Sequence, residues 1–292
     1  MAKKKMEPGK KVNYDVFRFQ LSPKSGHQYS VFGESLTSSQ IKARKNIYFH
    51  EALLKIQDFT SFHGNKLYHK ILVDKDNITA FKIGPSRKVH LENTEFEPIN
   101  IDGVLHVQVV INNDPSVQKI AITRNKAAFD SSFVVANMLA ENINRQLESY
   151  GLEVSINPVL KKEDFWKLIQ KYENNITSIK FELVRPNITN ISETLADQLK
   201  GLVELTNSNR TNIELKAAPG RVLENISPEN KPLKEIADYV VKGGSSDVHI
   251  KVKGYSKTIR TNSTIETFSA SEIEISGNID DVKLMYNHIL TD

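Results

Sequence analysis

Asp247-Val-His249-Ile-Lys251-Val-Lys253 alternates without a break between ionisable and β-branched apolar side chains. Successive side chains on a strand point to opposite faces, so this pattern demands a strand with one buried face. Val248, Ile250 and Val252 take the buried side. Asp247, His249, Lys251 and Lys253 take the solvated side. Gly243-Gly244, just before the strand, reads as the end of a helix. A strand buried on both faces would instead be continuously apolar. The expectation is therefore a sheet covered by helices mainly on one face, within an α+β architecture.

Other segments follow the same logic. Ile179, Phe181 and Leu183 share one face of a strand, as do Ile213 and Leu215 of the next. Asn190 with Glu193 resembles a capping box opening a helix with Leu195, Leu199, Leu202 and Val203 inward. Pro232 stands where a first-turn proline belongs, ahead of Leu233, Ile236, Ala237 and Val240. A helix is expected over 163–172 with Phe165, Trp166 and Ile169, and a last one over about 279–290. Upstream, Ser131 or Asp130 caps a helix carrying Val134, Val135, Met138, Leu139, Ile143 and Leu147, and Gly151 stops it.

The first hundred residues read mainly as strands: Tyr14–Leu21, Leu67–Val73, Ile78–Ile83 and a short Val89–Leu91. Ser38–Phe59 is better as a helix, with Ile47, Leu54 and Ile56 as core positions. Val104–Ile111 and Val117–Thr123 flank a hairpin signal at Asn112-Asn113-Asp114-Pro115. The expected division is a basic tail over 1–11, a β-rich domain over 12–103 and an α/β domain over 104–292.

Charge narrows the possible partners. The net charge of +4 over 292 residues equals that of residues 1–11 alone, which hold five Lys and one Glu. Residues 12–100 are mildly basic and residues 101–292 mildly acidic. A strongly basic groove is thus unexpected in the later two-thirds, and a local basic patch is possible in the first third. Lys42, Arg44 and Lys45, joined by Lys66 and Lys70, are the candidates for contacting phosphates. With no Cys, disulfides and thiolate metal sites are excluded. No apolar run suits a membrane span or a secretory leader, so a cytoplasmic location is expected.

The stretch from about 104 to 255 resembles a family of uncharacterised bacterial proteins. The similarity lies in Asn144…Leu147…Tyr150-Gly151-Leu152, in Asp164-Phe165-Trp166, in the run from Ile179 to Asn187, and in Tyr239 through Gly243-Gly244 to Lys251. The resemblance implies a place in phage-defence or mobile-element loci and carries no active residues with it.

Two constellations could carry chemistry. On a strand, Asp247, His249, Lys251 and Lys253 stand close enough to share a phosphate or a water, with His as acid or base and Lys holding an anion. The plainer alternative is the wet face of a half-buried sheet. Glu214-Leu-Lys216 has the Glu-x-Lys spacing of many metal-dependent nucleases, where the carboxylate binds the metal and the Lys steadies the attacking water. Such a site needs another acid on a neighbouring strand, but the preceding helix carries Asp197 and Glu204. The eight His form no ligand cluster. Phosphate loops, nucleophile elbows and dinucleotide fingerprints are absent.

The expected role is accordingly a non-enzymatic nucleic-acid-binding or assembly component of a bacterial defence system, binding DNA or RNA and a protein partner or itself. The alternatives are a metal-dependent nuclease using Glu214 and Lys216, and a nucleotide or small-ligand sensor built around His249. No cofactor is expected, save Mg²⁺ in the nuclease case.

Overall fold

The computed structural model describes residues 11–24, 29–31, 34–36, 38–184, 197–206, 208 and 210–271. Its strands are β1 (Lys11–Pro23), β2 (Tyr29–Val31), β3 (Glu34–Leu36), β4 (Phe59–Thr60), β5 (Lys66–Lys75), β6 (Ile78–Gly84), β7 (Ser86–Glu92) and β8 (Pro98–Val104). They continue with β9 (Val107–Asn112), β10 (Lys119–Thr123), β11 (Leu152–Pro158), β12 (Ile176–Val184), β13 (Arg210–Lys216), β14 (Ser245–Val252), β15 (Ile259–Arg260) and β16 (Thr267–Ser271). The helices are α1 (Ser38–Lys55), α2 (Ser132–Leu147), α3 (Lys162–Tyr172), α4 (Asp197–Leu205) and α5 (Lys231–Tyr239). The fold is α+β, β-rich in its N-terminal part.

Two compact units share the chain. The first comprises the described residues within 1–15, 50–146 and 267–292, and the second those within 16–49 and 147–266. This differs from the linear division at 103/104 expected from composition. Strand pairing is the reason: β9, beyond that line, pairs with β6 before it, in the register Thr79↔Ile111 to Ile83↔Val107.

In the first unit β10, β9, β6, β5 and β4 run in order and antiparallel. The β5–β6 turn places both Asp76 (φ 54°) and Asn77 (φ 64°) in the left-handed region, as a tight hairpin requires. Val107, Val109, Ile111, Ile120 and Ile122 are buried, as are Val135, Met138, Leu139 and Ile143 of α2. Ser131 Oγ accepts from Val134 N at 3.4 Å at the start of α2, as its sequence suggests. Asn142 ties α2 to β4, with Oδ1 accepting from Thr60 N at 2.9 Å and Nδ2 donating to Thr60 O at 2.8 Å. The start of β1 pairs with β16, Lys11↔Ser271 to Asp15↔Thr267. A separate ribbon, β7–β8, pairs Val89 with Ile101 and Leu91 with Ile99.

In the second unit the remainder of β1 pairs with β11, Phe17↔Pro158 to Pro23↔Leu152. A four-stranded antiparallel sheet follows, in the order β13-β12-β14-β15. Its apolar face, with Ile179, Phe181, Leu183, Val248, Ile250 and Val252, packs in one core with Phe165 and Ile169 of α3 and Leu233 and Ala237 of α5. Asn230 caps α5 by accepting from Leu233 N at 3.3 Å, with Pro232 in the first turn. After α5 a wide turn over Val240–Gly244 leads directly into β14, with Gly243 at φ 88°. A Cβ at Gly243 would stand 2.7 Å from the Cβ of Arg18, so glycine is needed there both for conformation and for space.

Some expected core positions are not core. Ile47 is 57 % exposed, Leu54 43 % and Leu202 55 %, whereas Ile56 and Val203 are buried. Helical period alone leaves the phase of a short amphipathic stripe open by a residue, and the neighbouring elements choose it. α1 also ends at Lys55, because Phe59 is taken into the sheet as part of β4. The expected capping pair Asn190 and Glu193, Leu195 and the helix over 279–290 lie outside the described residues.

Candidate functional site

The polar face of the four-stranded sheet gathers the two constellations that the sequence keeps apart. On β14, Asp247, His249 and Lys251 share that face, while Val248, Ile250 and Val252 face the core. Lys253 does not belong with them. The strand ends at Val252, and Lys253 N donates to Asn175 O at 2.8 Å as the chain turns. Register sets Lys180 of β12 opposite His249, and Glu182 opposite Asp247. On the other side of β14, Arg260 stands opposite His249. Across β12, Glu214 of β13 pairs with Lys180, and Lys216 with Ser178.

Five of the ionisable groups on this face interact with one another. His249 Nε2 lies 3.1 Å from Asp247 Oδ2 and 3.8 Å from Glu182 Oε1. Lys180 Nζ approaches Glu182 Oε1 at 2.7 Å, and Arg260 Nη1 approaches Asp247 Oδ2 at 3.5 Å. Asp247 is the most enclosed of the set, its side chain 15 % exposed. Burial raises its carboxyl above the ordinary range, while His249, Arg260 and a hydrogen bond from Val248 N act the other way. Sequence reasoning singled out Asp247 and His249 but missed Lys180, Glu182 and Arg260. Alternation on their strands signalled an outward polar face, but their convergence depends on strand order.

Chemically, the face holds an acid–imidazole pair balanced by neighbouring cations. Glu214 is held by its neighbours on this face. It accepts from Ser178 Oγ at 2.9 Å, and its cross-strand neighbour is a lysine instead of a second acid. Among the described residues no group of three or more His, Asp or Glu gathers at metal-binding distance.

The basic residues of the first third fall in separate units. Lys42, Arg44 and Lys45 lie on the part of α1 in the second unit, with Arg44 exposed. Lys66 and Lys70 lie on β5 in the first unit. Lys66 Nζ is 2.7 Å from Asp58 Oδ1, which offsets its charge and raises its pKa. Lys70 is exposed and stands opposite Lys82 of β6, which in turn stands opposite Gln108 of β9. Between Lys66 and Lys70, Tyr68 is 51 % exposed. The alternation Lys66-Leu67-Tyr68-His69-Lys70 was the available sequence signal, since it sets an aromatic ring between two cations on one face of a strand.

One buried carboxylate lies apart from all of these. Asp15, on β1, has a side chain only 3 % exposed. It accepts from Arg124 Nε at 2.9 Å to each oxygen, from Ser132 Oγ at 2.5 Å and from Thr267 Oγ1 at 3.0 Å. The bond to Asp15 raises the Arg124 pKa. The arrangement is that of a buried carboxylate satisfied by a half-exposed arginine, which fixes the guanidinium in one plane.

Comparison of the chain with models of known protein families and with curated proteins finds no match. No helix among the described residues is long and apolar enough to cross a membrane.

Proposed function

We propose that this chain is a non-enzymatic nucleic-acid-binding component of a larger bacterial assembly, with β5 of the first unit as its contact strand. The observation that carries this reading is the outward pair of Tyr68 and Lys70, exposed in alternation along one strand, with Lys82 across from Lys70 and Lys66, paired with Asp58, at the end of the row. Lysines that neutralise phosphates release counterions, and an exposed tyrosine between them offers a ring on which a base stacks. Stacking requires an unpaired base, so a single strand is the preferred form. The polar face of the four-stranded sheet suits a protein partner or a second copy, because it carries charges of both signs and a partner need not supply a single sign. The phage-defence setting is supported by the resemblance over 104–255.

Anisotropy titration of a labelled single-stranded oligonucleotide tests this reading. Binding is expected at about 50 mM salt, weakening steeply as salt rises, and reduced by Tyr68→Ala and by Lys70→Glu. Undetectable binding at that salt, or full binding by both variants, sinks the nucleic-acid reading. Incubation of the same oligonucleotide with Mg²⁺ or Mn²⁺ tests the nuclease alternative, which requires cleavage that Glu214→Ala abolishes.

A further inference from the structure

In the first unit a polar cleft of about 460 Å³ opens beside the start of β1 and the facing ends of β9 and β10. Its wall includes Lys11, Asn13, His106, Gln108, Arg124 and Asn125, and among the described residues none that lines it is an acid. The volume is in the range of small-ligand sites. We propose that this cleft binds a phosphate monoester of mononucleotide size, with Arg124 and Lys11 holding the phosphate and Asn13 donating beside them.

Three features make the cleft a receptor for an anion. Arg124 is held before any ligand arrives. Its Nε and Nη2 are engaged by the buried Asp15, and Nη2 also donates to Thr267 Oγ1 at 3.1 Å. No partner of Nη1 is found among the described residues. A guanidinium locked on one edge loses little freedom when its other edge meets a phosphate. The amide of Asn13 is also oriented. Its Oδ1 accepts from Ser269 Oγ at 2.5 Å, so its nitrogen remains as the donor. Asn125 is tied back, donating to His106 O at 2.8 Å and accepting from Ala127 N at 3.1 Å, and forms wall without adding a competing acceptor. Asp15, which holds Arg124 from behind, is neutralised by the residue it positions, and Lys11 adds positive charge to the described lining.

Free nucleotides and the 5′ ends of oligonucleotides offer the same phosphate monoester, and Gln108 in the cleft wall stands opposite Lys82 in the basic row. The test therefore runs both. Calorimetric titration of the full chain with AMP, with a 5′-phosphorylated hexanucleotide and with its 5′-hydroxyl counterpart should give saturable binding of phosphorylated ligand at up to about 1 mM. Binding of AMP assigns the cleft to free nucleotides, and binding of the phosphorylated hexanucleotide alone assigns it to strand ends. Lys11→Glu, at an exposed position, and Arg124→Lys, which keeps the charge but not the fork, should each weaken this binding roughly tenfold. Thermal unfolding of Lys11→Glu without ligand should match that of the unaltered chain. The proposal is overturned by absence of saturable binding to either phosphorylated ligand, by undiminished affinity in Lys11→Glu, or by equal affinity for the 5′-hydroxyl hexanucleotide. Lys70→Glu should leave AMP affinity unchanged, so failure here is separable from failure of the nucleic-acid reading on β5.

Discussion

His249 Nε2 and Asp247 Oδ2 lie 3.1 Å apart on the same strand, two positions apart along the chain and both on its polar face. The pair has a consequence for stability against pH. Burial raises the Asp247 carboxyl above 3.8. A carboxyl that holds its proton more tightly folded than unfolded favours the folded state in acid. That contribution is complete below 3.8, the unfolded value, and is lost as pH rises through the raised folded value. Asp247→Asn removes the dependence. The stability of the variant relative to the unaltered chain should therefore grow between about pH 3.5 and pH 6, read from urea unfolding at each pH. A constant difference across that window would count against the assignment.

His69 should behave in the opposite sense. Its ring meets Phe59 edge-on at 5.0 Å, and burial lowers its pKa below 6.5. The unfolded imidazole takes up a proton first, so stability is full above 6.5 and falls as pH drops through the lowered folded value. Melting temperature should therefore drop more between about pH 7.5 and pH 5.5 for the unaltered chain than for His69→Gln. Equal drops would rule this out.

Gly243→Ala should be costly. The left-handed backbone and the 2.7 Å approach to Arg18 Cβ act together, and about 2–4 kcal/mol of destabilisation is expected. Gly220→Ala is the control. It has a similar φ of 79° but open space around it, and should lose only about 1–2 kcal/mol. Chemical denaturation of both variants reads the difference.

Asp15→Asn leaves Arg124 beside an amide in a buried setting. Breaking a buried pair commonly costs 3–5 kcal/mol, and because half of the Arg124 side chain is exposed the expected loss is about 3 kcal/mol. A loss near zero in denaturant melts would show that Asp15 does not anchor this part of the sheet.

On β5, Tyr68→Ala should reduce single-strand affinity by about 1–3 kcal/mol at every salt concentration, because a stacking contact is lost. Lys70→Ala should act differently, lowering the slope of log affinity against log salt by about 0.7 for the one phosphate released. Finding the same change in slope for both variants would mean that Tyr68 does not stack on a base.

Much of the local structure was legible before any coordinates. The hairpin at 112–115, the Gly151 stop, the first-turn Pro232 and the one-sided burial of β12 and β14 all follow from short-range chemistry. What escaped was of three kinds. Lys253 was assigned to a strand that ends one residue earlier, since alternation carries no marker for its last member. Ile47, Leu54 and Leu202 were turned inward by a stripe whose phase only packing could choose. The ribbon β7–β8 was half seen, as Val89–Leu91, because its second strand from Pro98 begins with a proline that reads as punctuation.

The candidate sites divide along the same line. Alternation alone dictates that Asp247 and His249 share a solvated face, since two residues of extended chain return a side chain to the same side whatever surrounds it. It equally sets Lys66, Tyr68 and Lys70 in one row. That Glu182, Lys180 and Arg260 close around Asp247 and His249, that Glu214 meets a lysine, and that Asp15 reaches Arg124, 109 residues away, were decided by the tertiary structure. Those encounters depend on the order and register of strands, which are set by the summed burial of many apolar side chains and not by any short stretch of sequence.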